Sequence, residues 1–165
     1  MLSRNFRKLS LALAFATAIN HPMPAMAASG SGSISVGSNV LSVCLVFGST
    51  IAFGSYNMAQ LDQTGSISVI CTFGTSYNVG LDAGSGSGAT TSVRKLTGLS
   101  GDTLSYALYR NSGRSSIWGS NVGTDTVAGT ANGLLQTLTV YGRIPAGQAP
   151  KADIYSDTVT VTLTY

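Results

Sequence analysis

The chain has 165 residues, a formal net charge of +3 and a pI near 9.0, with only 9% charged residues, two cysteines and one histidine. The excess positive charge sits in Arg4, Arg7 and Lys8; the residues after Ala27 carry six cations against six aspartates, with no histidine and no glutamate. This balance gives no basic patch for nucleic acid or an anionic membrane, and the missing side chains exclude Ser-His-Asp or Cys-His catalysis and a His-ligated zinc site.

The first 27 residues read as a secretory signal. A basic start is followed by an apolar run from Leu9 to Ile19, a breaker region with Pro22 and Pro24, and the small-x-small triplet Ala25-Met26-Ala27, which places cleavage after Ala27. The apolar run is about half the ~20 residues needed to span a bilayer. Residues 28–43 then form an extension. A Gly/Ser lead is followed by Ile34, Val36, Ser38 and Val40 alternating with polar or glycine positions, the period of a strand with one apolar face. It reads either as the first strand of the domain or as a detachable one.

The domain itself is expected over 44–165. In an exported chain the isolated pair Cys44 and Cys71 is most simply a structural disulfide. Strand patterns follow at SISVICTF (66–73), SYNVGLDA (76–83), LSYALYRN (104–111), SSIWGSN (115–121) and LLQTLTVYGRI (134–144). Between them lie Gly, Ser, Asn and Asp clusters that read as turns. The run Gly84 to Gly88 lacks the Lys-Ser/Thr ending of a phosphate loop and reads as a flexible connection. The six aspartates have turn-like neighbours and form no recognisable catalytic pair, so each reads as a turn residue bonding its own backbone. Trp118 and the tyrosines read as core packing. No helical stripe and no internal repeat is visible. The class predicted is all-β, an immunoglobulin-like sandwich.

The sequence ends on SDTVTVTLTY, with Val159, Val161, Leu163 and Tyr165 on one side of an extended chain and threonines on the other. A strong strand at this place, with an extra strand-like segment at the start, suggests a sandwich that lacks its final strand.

Several stretches resemble the spore coat protein U domain family, which includes the Csu-type (archaic) chaperone–usher pilins. They are IAFGSYN (51–57), TGSISVICTFGTSYNVGLDAG (64–84), LSYALYRNSGRSSIWG (104–119), LTVYGRIPAGQAPKADIYSDTVTVTLTY (138–165) and the Cys44/Cys71 pair. The resemblance implies a sandwich completed by donor-strand exchange, β-strand addition in which main-chain bonds give affinity and side-chain pockets give register. On that basis Ile34, Val36, Ser38 and Val40 are the donor strand, with polar Ser38 a departure from a fully apolar donor. Val159, Val161, Leu163 and Tyr165 border the acceptor groove and anchor the chaperone. The implied partners are a periplasmic pilus chaperone, an outer-membrane usher and other pilin subunits, with no nucleic acid, small-molecule substrate, cofactor or metal. The implied function is that of a structural, non-enzymatic subunit of a surface fimbrium, exported through the periplasm, with roles in adhesion and biofilm formation. The alternatives are a secreted spore-coat-type protein of the same fold that forms no usher-assembled fibre, and a tip adhesin, for which the chain is short.

Overall fold

The computed structural model describes residues 26–165, so the basic start and apolar run of the signal lie outside the described residues. The segment up to Ser38 and the body Asn39–Tyr165 are separate units. In the first, the described residues carry no regular structure and are fully exposed; Ile34 and Val36 are 90% and 93% exposed. The expectation of a strand there is not met within this chain. An alternating row with no partner has no ladder to join.

The body is all-β among the described residues. Its strands are β1 (Cys44–Gly48), β2 (Leu61–Cys71), β3 (Ser76–Leu81), β4 (Arg94–Gly98), β5 (Thr103–Tyr109), β6 (Val127–Thr130), β7 (Gln136–Ile144), β8 (Tyr155–Ser156) and β9 (Val161–Thr164). They form a six-stranded sheet, β1-β2-β7-β5-β4-β8, and a three-stranded sheet, β6-β3-β9. Every pairing is antiparallel. The fold is an immunoglobulin-like sandwich, in which β1 and β8 are the edges of one sheet and β6 and β9 the edges of the other.

The core follows from strand alternation. Ile67, Val69 and Cys71 of β2 face inward with Val140 and Ile144 of β7, against Tyr77, Val79 and Leu81 of β3. The Cys44–Cys71 disulfide joins directly opposed residues of β1 and β2, fixing the β1 edge to the sheet. Trp118 is buried among these residues, and its Nε1 donates to the Val79 carbonyl at 2.9 Å. A buried indole N–H needs such an acceptor.

Three expectations are corrected. SSIWGSN is no strand; only an isolated bridge, Tyr109 to Ile117, forms there, because the chain turns inward to bury Trp118. The closing strand is Val161–Thr164, much shorter than SDTVTVTLTY, since Asp157 to Thr160 find no strand partner. The run Gly84 to Gly88 is fastened down. Ser85 donates from both N and Oγ to Asp157 Oδ1 at 2.7 Å, and a side chain on Gly86 would collide with the Lys95 carbonyl.

Candidate functional site: an open groove between two sheet edges

Where β1 ends, the chain continues as 49–60 outside any strand; where β8 ends, 157–160 is likewise outside any strand until β9 begins, held at Thr160 by the Asp82 N–H and by a bond to Asp82 Oδ1. Between these two segments the sandwich is open. A cavity of about 450 Å³ is lined by Gly48 to Ile51 and Phe53 on one wall and by Asp157 to Val159 and Val161 on the other. Its floor is the core itself: Ile67, Leu81, Leu96, Tyr106, Leu108 and Val140. A second cavity of about 510 Å³ shares Ile51, Phe53 and Leu96 with the first and continues toward Tyr56, Leu104, Ile144 and Tyr155. The two adjoin as one trough between residues 48–56, which follow β1, and residues 152–161, which lead into β9. The floor of the trough is apolar, while Ser49, Thr50, Ser66, Asp157 and Thr158 make its rim polar.

One side wall is built by alternation. Tyr155, Asp157, Val159, Val161 and Leu163 are all half-buried while the residues between them are exposed. Val159 and Val161 line the trough; Leu163 packs on the core opposite Val79, and Tyr165 is exposed. Of the residues expected at the groove, therefore, two stand in it, one supports it and Tyr165 lies outside.

Asp157 was expected only as a turn residue, and it does accept from the Thr158 N–H at 2.8 Å. It also does more. Its Oδ1 accepts from Ser85 as described, and its Oδ2 accepts from the Tyr106 hydroxyl at 2.6 Å, inside the trough. Burial, and then the bond to Asp157, push the Tyr106 phenol well above its ordinary range, so it is held as a neutral donor. Gly84 is required here: with φ at +79° and the Asp157 carboxylate where a Cβ would stand, no other residue fits. The signal for Asp157 was present in the sequence, because it shares the parity of Val159 and Val161. Tyr106 likewise shares the parity of Leu104 and Leu108, but nothing in the sequence sets it beside Asp157.

Behind this wall sits Arg94, fully buried. Its guanidinium donates to the carbonyls of Asp82 (2.8 Å), Thr91 (2.7 Å), Leu81 (3.2 Å) and Trp118 (2.8 Å). It thereby ties the end of β3 to the Trp118 loop beneath the trough. Among the described residues no buried side-chain polar atom lacks a partner, and no group of three His, Cys, Asp or Glu could hold a metal ion.

Residues 12–162 match the Spore Coat Protein U domain model. The chain belongs to that family. It is 33% identical over 159 residues to Protein U of Myxococcus xanthus, an alignment covering 86% of this chain and 88% of that protein. Its fold resembles a chain in the CsuC–CsuE chaperone–tip adhesion subunit pre-assembly complex from archaic chaperone-usher Csu pili of Acinetobacter baumannii. That match has a TM-score of 0.59 at 22% identity and covers 76% of this chain. This spore coat U chain spans 40% of the length of that one, so the likeness is one of fold over part of the larger chain.

Proposed function

We propose that this spore coat U domain is a structural subunit of a chaperone–usher pilus, polymerising by donating residues 28–43 to the groove of a neighbouring copy. The observation that carries the reading is the trough between residues 48–56 and 152–161, together with an exposed segment whose apolar residues alternate. The Csu structure adds support, since the fold it shares belongs to a complex described as chaperone and pilus subunit before assembly. On this reading a periplasmic chaperone covers the trough until an outer-membrane usher exchanges it for the next subunit's strand. Ala27 is the last residue of the export signal. Burying Ile34, Val36 and Val40 contributes about 5–8 kcal/mol of gross apolar transfer to the fibre.

The test is Val36→Asp. A charge in an apolar groove costs several kcal/mol unless paired, so fibres are lost while chaperone-bound subunit persists at its normal level. Normal surface fibre in this variant would overturn the reading; loss of subunit and fibre together would make residues 34–40 an ordinary structural strand.

The family's description as a spore coat domain favours a second reading, a secreted coat protein of the same fold that forms no usher-assembled fibre. Fibre formation dependent on a chaperone and usher encoded nearby separates the two.

A further inference from the structure

The groove and the segment proposed to fill it each carry one polar position in an apolar row. Along the wall the inward series is Tyr155, Asp157, Val159, Val161; along the segment it is Ile34, Val36, Ser38, Val40. The wall's polar position is internal to the trough, with Val159 and Val161 beyond it on one side and Tyr155 on the other. The segment's is internal too, flanked by Val36 and Val40. We propose that these two positions meet: Ser38 of one copy donates its hydroxyl proton to the Tyr106 oxygen of the next, and this single polar rung fixes the register of the inserted strand.

The chemistry of the rung is directional. The Asp157 carboxylate already accepts from Ser85 N, Ser85 Oγ, Thr158 N and the Tyr106 hydroxyl. Three of these bonds fall on Oδ1 and only the Tyr106 bond on Oδ2, so Oδ1 is fully used while Oδ2 keeps a lone pair beside the Tyr106 oxygen. Tyr106 has committed its proton to Asp157, which leaves its oxygen as an acceptor facing the trough. The rung therefore takes a hydroxyl donor and rejects a carboxylate, which would lie beside Asp157 with no proton to offer.

Register matters because side chains alternate. A slip of one residue would turn Ile34, Val36 and Val40 outward. A slip of two keeps the parity but sets Val36 or Val40 against the rung and leaves Ser38 over an apolar floor. With Ser38 level with Asp157 and the strand antiparallel to the wall, Val36 meets Val159, Ile34 meets Val161 and Val40 meets Tyr155. In the parallel sense Ile34 would fall level with Asp153. Only the antiparallel placement puts every apolar side chain on an apolar position.

This inference rests on the donor-strand reading, and the experiment separates the two. Fibres of the full mature chain are assembled from wild type, Ser38→Ala, Tyr106→Phe and the double variant, and their dissociation in denaturant is timed. Each single change is expected to speed dissociation about five- to tenfold, the worth of one net hydrogen bond, and the double variant is expected to be no faster than the faster single. Ser38→Thr keeps the donor and should dissociate at close to the wild-type rate, whereas Ser38→Asp should yield no fibre. These two leave the body untouched and decide the matter if Tyr106→Phe folds poorly. Wild-type dissociation by Ser38→Ala, or multiplied effects in the double variant, would overturn the rung. If Val36→Asp still abolishes fibres in that case, donor-strand assembly stands without the rung; if it does not, both fall.

Discussion

Arg94 is a cation buried without a direct carboxylate partner, held by four main-chain carbonyls. Burial pulls its pKa down, and the charges of Asp82, Asp157 and Asp125 are among those opposing that pull. Removing it strands the Leu81 and Trp118 carbonyls, which lie in the buried part of the site. Arg94→Lys should cost about 3 kcal/mol or more in urea unfolding, because a single ammonium cannot reproduce the planar fork; a loss under about 1 kcal/mol would show that the guanidinium geometry is dispensable. Acid stability is set by other residues. The Arg143 hydrogen bond holds Asp62 below the ordinary value of 3.8. At Asp82 burial raises the pKa, but hydrogen bonds from Thr160 and Gly84 outweigh it and the net shift is downward. Asp153 is likewise lowered, chiefly by the Ser100 N–H. In each case the unfolded chain binds protons first, so the stabilisation is complete above the unfolded value and is lost as pH falls through the folded ones. Melting temperature should therefore hold steady from neutral pH down to about 5 and drop below about 4. Asp82→Asn should flatten that acid limb, and an unchanged slope would show that Asp82 does not contribute to it.

Among the strands, β1 depends most on a covalent tie. It pairs only with β2, and its outward residues Leu45 and Phe47 are exposed. The Cys44–Cys71 bridge closes a separation of 27 residues, for which chain entropy gives roughly 3.5 kcal/mol in that model. Cys44→Ala with Cys71→Ala should lower the unfolding midpoint correspondingly and reduce subunit yield, leaving fibre morphology unchanged; an unchanged midpoint would mean that β1 is held by its ladder alone. How well each strand could be read from sequence follows its burial. β2, β3, β5 and β7 showed plainly, because one face of each is core and the apolar period of two is complete. β4 (Arg94–Gly98) hid because its inward face opens with an arginine, and β6 (Val127–Thr130) because VAGT offers one large apolar residue. β1 hid because Leu45, Val46 and Phe47 are apolar on both faces and so lack alternation. The Val159–Val161 side of the trough showed in the sequence as alternation; Ile51 and Phe53 on the facing side alternate over only two positions, too few to mark a wall.

At the scale of the whole body, the segments after β1 and before β9 stand outside any strand across a trough whose floor is the core. Such a body gains stability from whatever strand enters, by mass action when the strand is on another chain and without dilution when it is on the same one. Moving residues 31–43 from the start of the mature chain to a position after Tyr165 makes the second case. The antiparallel register places Ile34 beside Val161, so the moved strand needs only a hairpin connection of about four residues. A parallel strand would need a crossover of about a dozen or more. The chain rearranged with the short connection should be monomeric, form no fibre and need no chaperone for recovery. Its melting temperature should exceed that of the isolated wild-type subunit by well over 10 °C, since each kcal/mol is worth about 4–8 °C in a domain of up to 100 residues and about 2–4 °C in a larger one and the added burial is several kcal/mol. The control carries Val36→Asp in the moved segment and should melt like the uncomplemented body. Equal melting of the rearranged chain and its Asp variant would show that the segment does not occupy the trough. A gain seen only with the long connection would keep the strand in the trough but reverse its direction, and with it the placement of Ser38 and its neighbours along the wall.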